Sequence, residues 1–274
     1  LTPGPFEVAG LSWSPDSSRL AFASGRHPRA DLDLVNDVFT VDVELGGEPE
    51  AVTGSTESWS EPSYDADGSL AAYWSDPDIS PTHTQVAVLP AAGGEARFLS
   101  RSLDRNCAPY GAAREPVWDG GDVLFAVEDA GNVHLYRSSA DGTGKPELLL
   151  GGDRTVTGFD ARAGVLAFTV TDALTPSDLV VLVDGEECRL TSIGARFTER
   201  HDVSTPERFT AVSADGSEVE AWLMRPAGFA PGGRYPLLLN IHGGPFTQYG
   251  NRFFDEFQVQ AGAGYAVVYA NPRG

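Results

Sequence analysis

An internal repeat constrains this chain more than any other feature. Four comparable stretches follow one another: LSWSPDSSRLAFAS with VFTVDV and GGEPEAVT; PSYDADGSLAAYW with TQVAVLPA and GGEARFLS; PVWDGGDVLFAVED with VHLYRSSADG and ELLL; and GFDARAGVLAFTV with DLVVLVDG and CRLT. Aligning Leu20, Leu70, Leu124 and Leu166 spaces them by 50, 54 and 42 residues, the range in which one supersecondary unit recurs as a propeller blade or an array. Within each stretch, short segments are separated by Asp, Gly, Ser or Pro. Between Val38 and Val43, Phe39, Val41 and Val43 share one face and Thr40 and Asp42 the other, which is the period of a strand. The SPDSS and DADGS links carry residues that accept positive φ or bond their own backbone, so they predict tight turns between antiparallel strands. Four strands per repeat describe a β-propeller blade. A generic antiparallel sandwich is the alternative, and it would lack such regular internal similarity.

The pattern changes near the C-terminus. Tyr235 to Ile241 is short, uniformly apolar and followed by His242, Gly243, Gly244 and Pro245. Such a run predicts a strand buried on both faces, as in a parallel sheet. The two glycines permit backbone conformations closed to residues with a Cβ, so main-chain N–H groups can turn toward a ligand. An ordinary Gly-Gly-Pro turn after a core strand is the plain alternative. Downstream, Phe253, Phe254, Phe257 and Ala261 fall on one helical face, Gly262 and Gly264 supply a stop, and Tyr265 to Ala270 reads as a second strand. Strand, loop, helix and strand make a βαβ unit of a mostly parallel sheet.

The segment from about Phe209 to Gly274, with SADGSEVEAWLMRPAGF, YPLLLNIHGGP, QYG and FFDEFQVQAGAGYAVVYANPRG, closely resembles the start of the catalytic domain in the prolyl oligopeptidase family of serine peptidases, above all its acylaminoacyl-peptidase-like branch. The resemblance implies a mainly β chain: a partial propeller of about four blades over residues 1–197, then, over 198–274, a linker and the first βαβ part of an α/β-hydrolase domain. It implies a Ser-His-Asp hydrolase in which serine attacks a peptide carbonyl, histidine shuttles the proton and aspartate fixes the imidazole. The serine of this class sits in a GxSxG elbow, and no GxSxG occurs in the 274 residues. The expectation is therefore a truncated catalytic unit, inactive alone, with Ser, Asp and His downstream and further blades upstream. Carried over residue by residue, Gly244 is the candidate backbone donor of the oxyanion hole, His242, Gly243 and Pro245 shape its loop, and Arg273 in NPRG is a candidate for ordering the site or an ordinary surface arginine. The implied substrate is a short peptide, N-acylated or not, with the propeller restricting access. A non-catalytic propeller scaffold carrying a hydrolase remnant, and an esterase on the same fold, remain as alternatives.

Composition bounds the rest. Hydrophobic residues make up 41% of the chain, enough for sizeable cores. The net charge is −20 and Lys145 is the sole lysine, a balance that repels phosphate backbones and argues against a nucleic-acid partner. No apolar run is long enough to span a bilayer and no charged leader precedes an apolar stretch, so no membrane partner is expected and a cytoplasmic location is the default. A homo-oligomer is compatible with all of this. Cys107 and Cys188 are far apart without ligand spacing and read as free thiols. Asp31, Asp33 and Asp37 miss the EF-hand pattern and read as a solvated connection, and His27, His83, His134 and His201 show no metal-type pairing. No metal or cofactor is expected.

Overall fold

Alternating side chains and Asx or glycine turns make strands that pair with their sequence neighbours. The computed structural model describes residues 2, 4–44, 47–79, 82–91, 93–112, 114–244 and 247–272. The first repeat is β1 (Ala9–Trp13), β2 (Arg19–Ser24), β3 (Asp37–Asp42) and β4 (Glu50–Ala51), an antiparallel meander in that order. The second, β5 (Ser58–Tyr64), β6 (Leu70–Ser75), β7 (Gln85–Leu89) and β8 (Arg97–Phe98), repeats the arrangement. The third runs β9 (Val117–Asp119), β10 (Asp122–Asp129), β11 (Asn132–Ser139) and β12 (Glu147–Leu150), and the fourth β13 (Thr155–Arg162), β14 (Val165–Thr171), β15 (Asp178–Val183) and β16 (Glu186–Arg189). The first two repeats are the separate four-stranded sheets that the repeat predicts, whereas the third and fourth are joined into one eight-stranded sheet where β11 and β13 pair in parallel at Val133 and Thr155.

The chain divides into two compact units, the first comprising residues 1–128, 135–150 and 161–164. Its core lies between successive sheets. On β6, Leu70 and Ala72 pack with Ala21, Val38 and Trp59, while the alternate residues Ala71 and Tyr73 pack with Val123, Phe125 and Val127 of β10. Both faces of β6 are therefore covered. Large side chains such as Trp59, Tyr73 and Phe125 are almost wholly buried, and an aliphatic or phenyl side chain so placed contributes about 1.5–3 kcal/mol over its exposed state.

The turns are built as the sequence predicts. Asp16 accepts hydrogen bonds from Ser18 N at 3.0 Å and from the Ser14 and Ser18 hydroxyls, each at 2.7 Å. Asp37 departs from the solvated connection expected for it. It is 1% exposed, opens β3, and accepts from Thr53 Oγ1 at 2.8 Å and Ser55 Oγ at 2.7 Å, because a carboxylate at a strand end can be buried once hydroxyls satisfy it. Asp33 instead faces His27 at 3.2 Å. Among the described residues no cluster of His, Cys, Asp or Glu has the arrangement of a metal site.

The second unit comprises residues 129–134, 151–160 and 165–274. It holds most of the fourth repeat, the tip of the β10–β11 hairpin, and the short helix α1 (Ala195–Thr198). It also holds a mixed sheet of β17 (Pro206–Val212), β18 (Glu218–Met224), β19 (Leu237–Asn240) and β20 (Ala266–Asn271), with α2 (Asp255–Gly262) between the last two. The order is β17-β18-β20-β19, antiparallel except for the parallel β19–β20 pair. Strand, helix and parallel strand form the expected βαβ unit, but the sheet that holds it is mostly antiparallel and not mostly parallel, because β18 pairs antiparallel with both β17 and β20. Phe257 and Ala261 of α2 are buried against Trp222, Met224, Val267 and Tyr269. No helix among the described residues is long and apolar enough to cross a membrane.

Two local expectations need correction. Within these residues β19 is covered on one face only: Leu237 and Leu239 are 61% and 60% exposed. The sheet order puts β19 at an edge, and α2 covers only one face of the pair. Phe253 and Phe254 precede α2 rather than lying on its face. Phe253 N donates to Thr171 Oγ1 at 3.2 Å, and Phe254 is extended at φ −102°, ψ 100°, so the helix starts at Asp255, where Asp255 and Glu256 favour its positive end.

Candidate functional site

The site starts where β19 ends. Beyond Asn240 the chain leaves the sheet through Ile241, His242, Gly243 and Gly244. Gly244 has φ +148°, a conformation that glycine adopts freely and L side chains rarely do. At Gly243 a Cβ would meet open space. The β19–β20 pair is parallel, so both strands end on the same edge, the edge at which loops of open α/β sheets gather around ligands.

The His242 ring is held within its own loop. Its Nδ1 lies 2.8 Å from Gly243 O. A carbonyl can only accept, so Nδ1 is the donor in this contact. Nε2 is buried and has no hydrogen-bond partner among the described residues. The imidazole meets the ring of Tyr249 edge-on, with centroids 5.1 Å apart. Pro245 and Arg273 lie outside the described residues.

Tyr249, in the QYG stretch, is a residue to which the sequence assigns no role. Its ring packs against Phe254, Phe257 and Tyr269 at centroid distances of 5.4, 5.3 and 5.5 Å. Burial pushes its phenol above the ordinary tyrosine value, with the nearby Glu256 charge adding to the shift, so it acts here as a neutral aromatic prop. Its main chain is tied to the end of β20: Tyr249 N donates to Asn271 Oδ1 at 2.7 Å, and Asn271 Nδ2 donates to Tyr249 O at 2.9 Å. The aromatic cluster was partly legible in Phe254 and Phe257, but the Tyr249–Asn271 pairing joins residues on separate segments and leaves no local signal.

No protein-family model matches the chain. Over 169 residues it is 40% identical to an uncharacterized peptidase, YuxL, of Bacillus subtilis, an alignment covering 60% of this chain and 25% of that protein. Over 285 residues it is 26% identical to dipeptidyl-peptidase 5 of Aspergillus oryzae, covering 95% of this chain and 38% of that protein. Its fold is similar to that of the acylaminoacyl peptidase of Pyrococcus horikoshii, with a TM-score of 0.79 at 24% identity over 99% of this chain and 40% of that one. The chain therefore spans between a quarter and two fifths of the length of these relatives.

Proposed function

We infer that the whole protein is a serine peptidase of the prolyl oligopeptidase type acting on short peptides, a reading supported by the chain's similarity in sequence to named peptidases and in fold to an acylaminoacyl peptidase. The observation that carries this reading is Gly244 at φ +148° directly beyond the strand of a βαβ unit. When a serine attacks a peptide carbonyl, the oxygen takes on negative charge. A backbone N–H fixed in advance stabilises that charge without reorganising during the reaction.

In this reading the Gly244 N–H is one donor of the oxyanion hole, and the residue after the nucleophile supplies the second. Gly243 and Pro245 hold the turn. His242 spends its Nδ1 proton on Gly243 O and so stiffens the loop instead of exchanging protons with substrate. The serine, aspartate and histidine of the triad belong to other parts of the protein, since no GxSxG occurs in these 274 residues. On its own this stretch would bind no oxyanion productively and would hydrolyse nothing. The strand repeats would limit access by size, favouring short peptides, and the relatives named as dipeptidyl and acylaminoacyl peptidases support a substrate cut near its N-terminus.

The test is labelling of the full-length protein with a fluorophosphonate probe, alongside hydrolysis of dipeptidyl and acetyl-aminoacyl p-nitroanilides. One labelled serine in a GxSxG segment and turnover of at least one substrate class are expected. Absence of both would sink the reading.

A further inference from the structure

The segment that follows the HGG loop is held from a distant part of the chain. The tip of the β10–β11 hairpin is Ala130-Gly131, with φ +49° and +75°, positive at both central positions as a two-residue type I′ turn requires. The side-chain amide of Gln248 bonds to the main chain of this tip. Gly131 N donates to its Oε1 at 3.1 Å, and its Nε2 donates to Asn132 O at 2.9 Å. Asn251 makes the next contacts: its N donates to Gly131 O at 2.7 Å, its Nδ2 donates to Asn132 Oδ1 at 2.7 Å, and its O accepts from Thr155 Oγ1 at 3.0 Å.

Asn132 is the centre of the clamp. Its Oδ1 accepts from Arg154 N at 3.1 Å as well as from Asn251. Arg154 is itself fixed by a two-pronged pairing with Glu187 at 2.8 and 2.7 Å. Between Gln248 and Asn251 stand Tyr249, whose ring meets His242, and Gly250, which is buried. Gln248 is four residues beyond Gly244, a length of chain that can span at most about 14 Å. Loosening this anchor would therefore free the far end of the loop that carries Gly244, and would release the aromatic prop beneath His242.

We propose that the β10–β11 hairpin tip is a positioning element for the HGG loop, with Asn132 and Gln248 as its positioning residues. This rests on the reading of Gly244 as an oxyanion donor. Neither residue touches substrate; each acts by fixing the main chain from Gln248 to Asn251, and through it the orientation available to the Gly244 N–H.

The experiment uses the full-length protein and the variants Asn132→Ala, Asn132→Asp and Gln248→Met. Two readouts are taken: hydrogen exchange of the amides from His242 to Arg252, and kcat and KM on the best p-nitroanilide. Removing these hydrogen bonds should speed exchange across that stretch and lower kcat about tenfold, with KM held within about twofold. Asn132→Asp keeps an acceptor for Asn251 Nδ2 and Arg154 N and should recover most of the loss. Faster exchange with unchanged kcat in Asn132→Ala and Gln248→Met would overturn the positioning role, and unchanged exchange would overturn the clamp itself. If the wild-type protein neither labels nor turns over, the peptidase reading falls, and the exchange measurement alone decides for or against the clamp.

Discussion

Gly250 and Gly131 meet backbone to backbone, so that a Cβ built on Gly250 would overlap the Gly131 carbonyl oxygen. The same oxygen accepts the Asn251 N–H at 2.7 Å. On the other side, a Cβ on Gly131 would fall 2.8 Å from Trp222 Cζ2, and Trp222 is buried in a stack with Tyr269. Neither neighbour is the free end of a flexible side chain. The approach therefore requires glycine at both positions for reasons of space, and at Gly131 for its φ of +75° as well.

Gly250→Ala should consequently destabilise the protein by about 1–3 kcal/mol, the range for overpacking a filled site. Gly262→Ala, where a Cβ meets open space, is the control and should cost nothing measurable. Thermal unfolding of the two variants checks this. Equal melting temperatures would show that the backbone contact yields without cost.

Gly244→Pro removes the N–H assigned to the oxyanion and cannot take up φ +148°. In the full-length protein kcat should fall by about 10²–10³, the loss typical of one oxyanion donor, with KM changed far less. Circular dichroism establishes that the variant is folded before kinetics are measured. A folded Gly244→Pro protein with wild-type kcat would remove Gly244 from the site.

How much of this was legible in the sequence depends on the reach of each interaction. The strands were, because short apolar segments and turns such as that at Asp16 are set by residues a few positions apart, although β3 is buried on both faces, Thr40 included, instead of alternating. The HGG loop was as well, since a double glycine after an apolar run is a local pattern. The open face of β19 within these residues was not, because an apolar run does not say which of its faces α2 will cover. Nor was the clamp. Gln248 and Asn132 are 116 residues apart, and one polar residue in a loop gives no hint of which backbone it will bond.

The two thiols should differ sharply in reactivity. Cys107 is 0% exposed, and burial pushes its thiol up to about 12, while Cys188 is exposed on β16. Because the thiolate is the nucleophile, iodoacetamide at neutral pH should alkylate Cys188 in the native protein and leave Cys107 unmodified until the chain is denatured. Peptide mapping by mass spectrometry reads this directly. Native-state modification of Cys107 at a rate similar to that of Cys188 would contradict the packing around β7 and β10.

Two turns give the protein a defined acid dependence. In Asp215 the Ser213 hydroxyl, donating at 2.6 Å, and the Ser217 N–H, donating at 3.0 Å, hold the carboxyl down to about 2. In Asp16 the hydroxyls of Ser18 and Ser14 do the same, again to about 2. Unfolded, both groups would titrate near about 3.9. A folded value below the unfolded one means that the unfolded state binds protons first as pH falls. The stability from these turns is then fully present above about pH 4, declines as pH drops through the interval, and is gone below about pH 2. Asn at position 215 keeps an acceptor but cannot titrate, so the stability difference between wild type and Asp215→Asn should be constant from about pH 5 upward and should shift against the wild type between about pH 4 and 2. Denaturant unfolding at a series of pH values, with NMR titration of the Asp215 carboxyl, measures both quantities. A carboxyl midpoint near about 4, or a difference that does not change with pH, would show that these serines do not hold the charge.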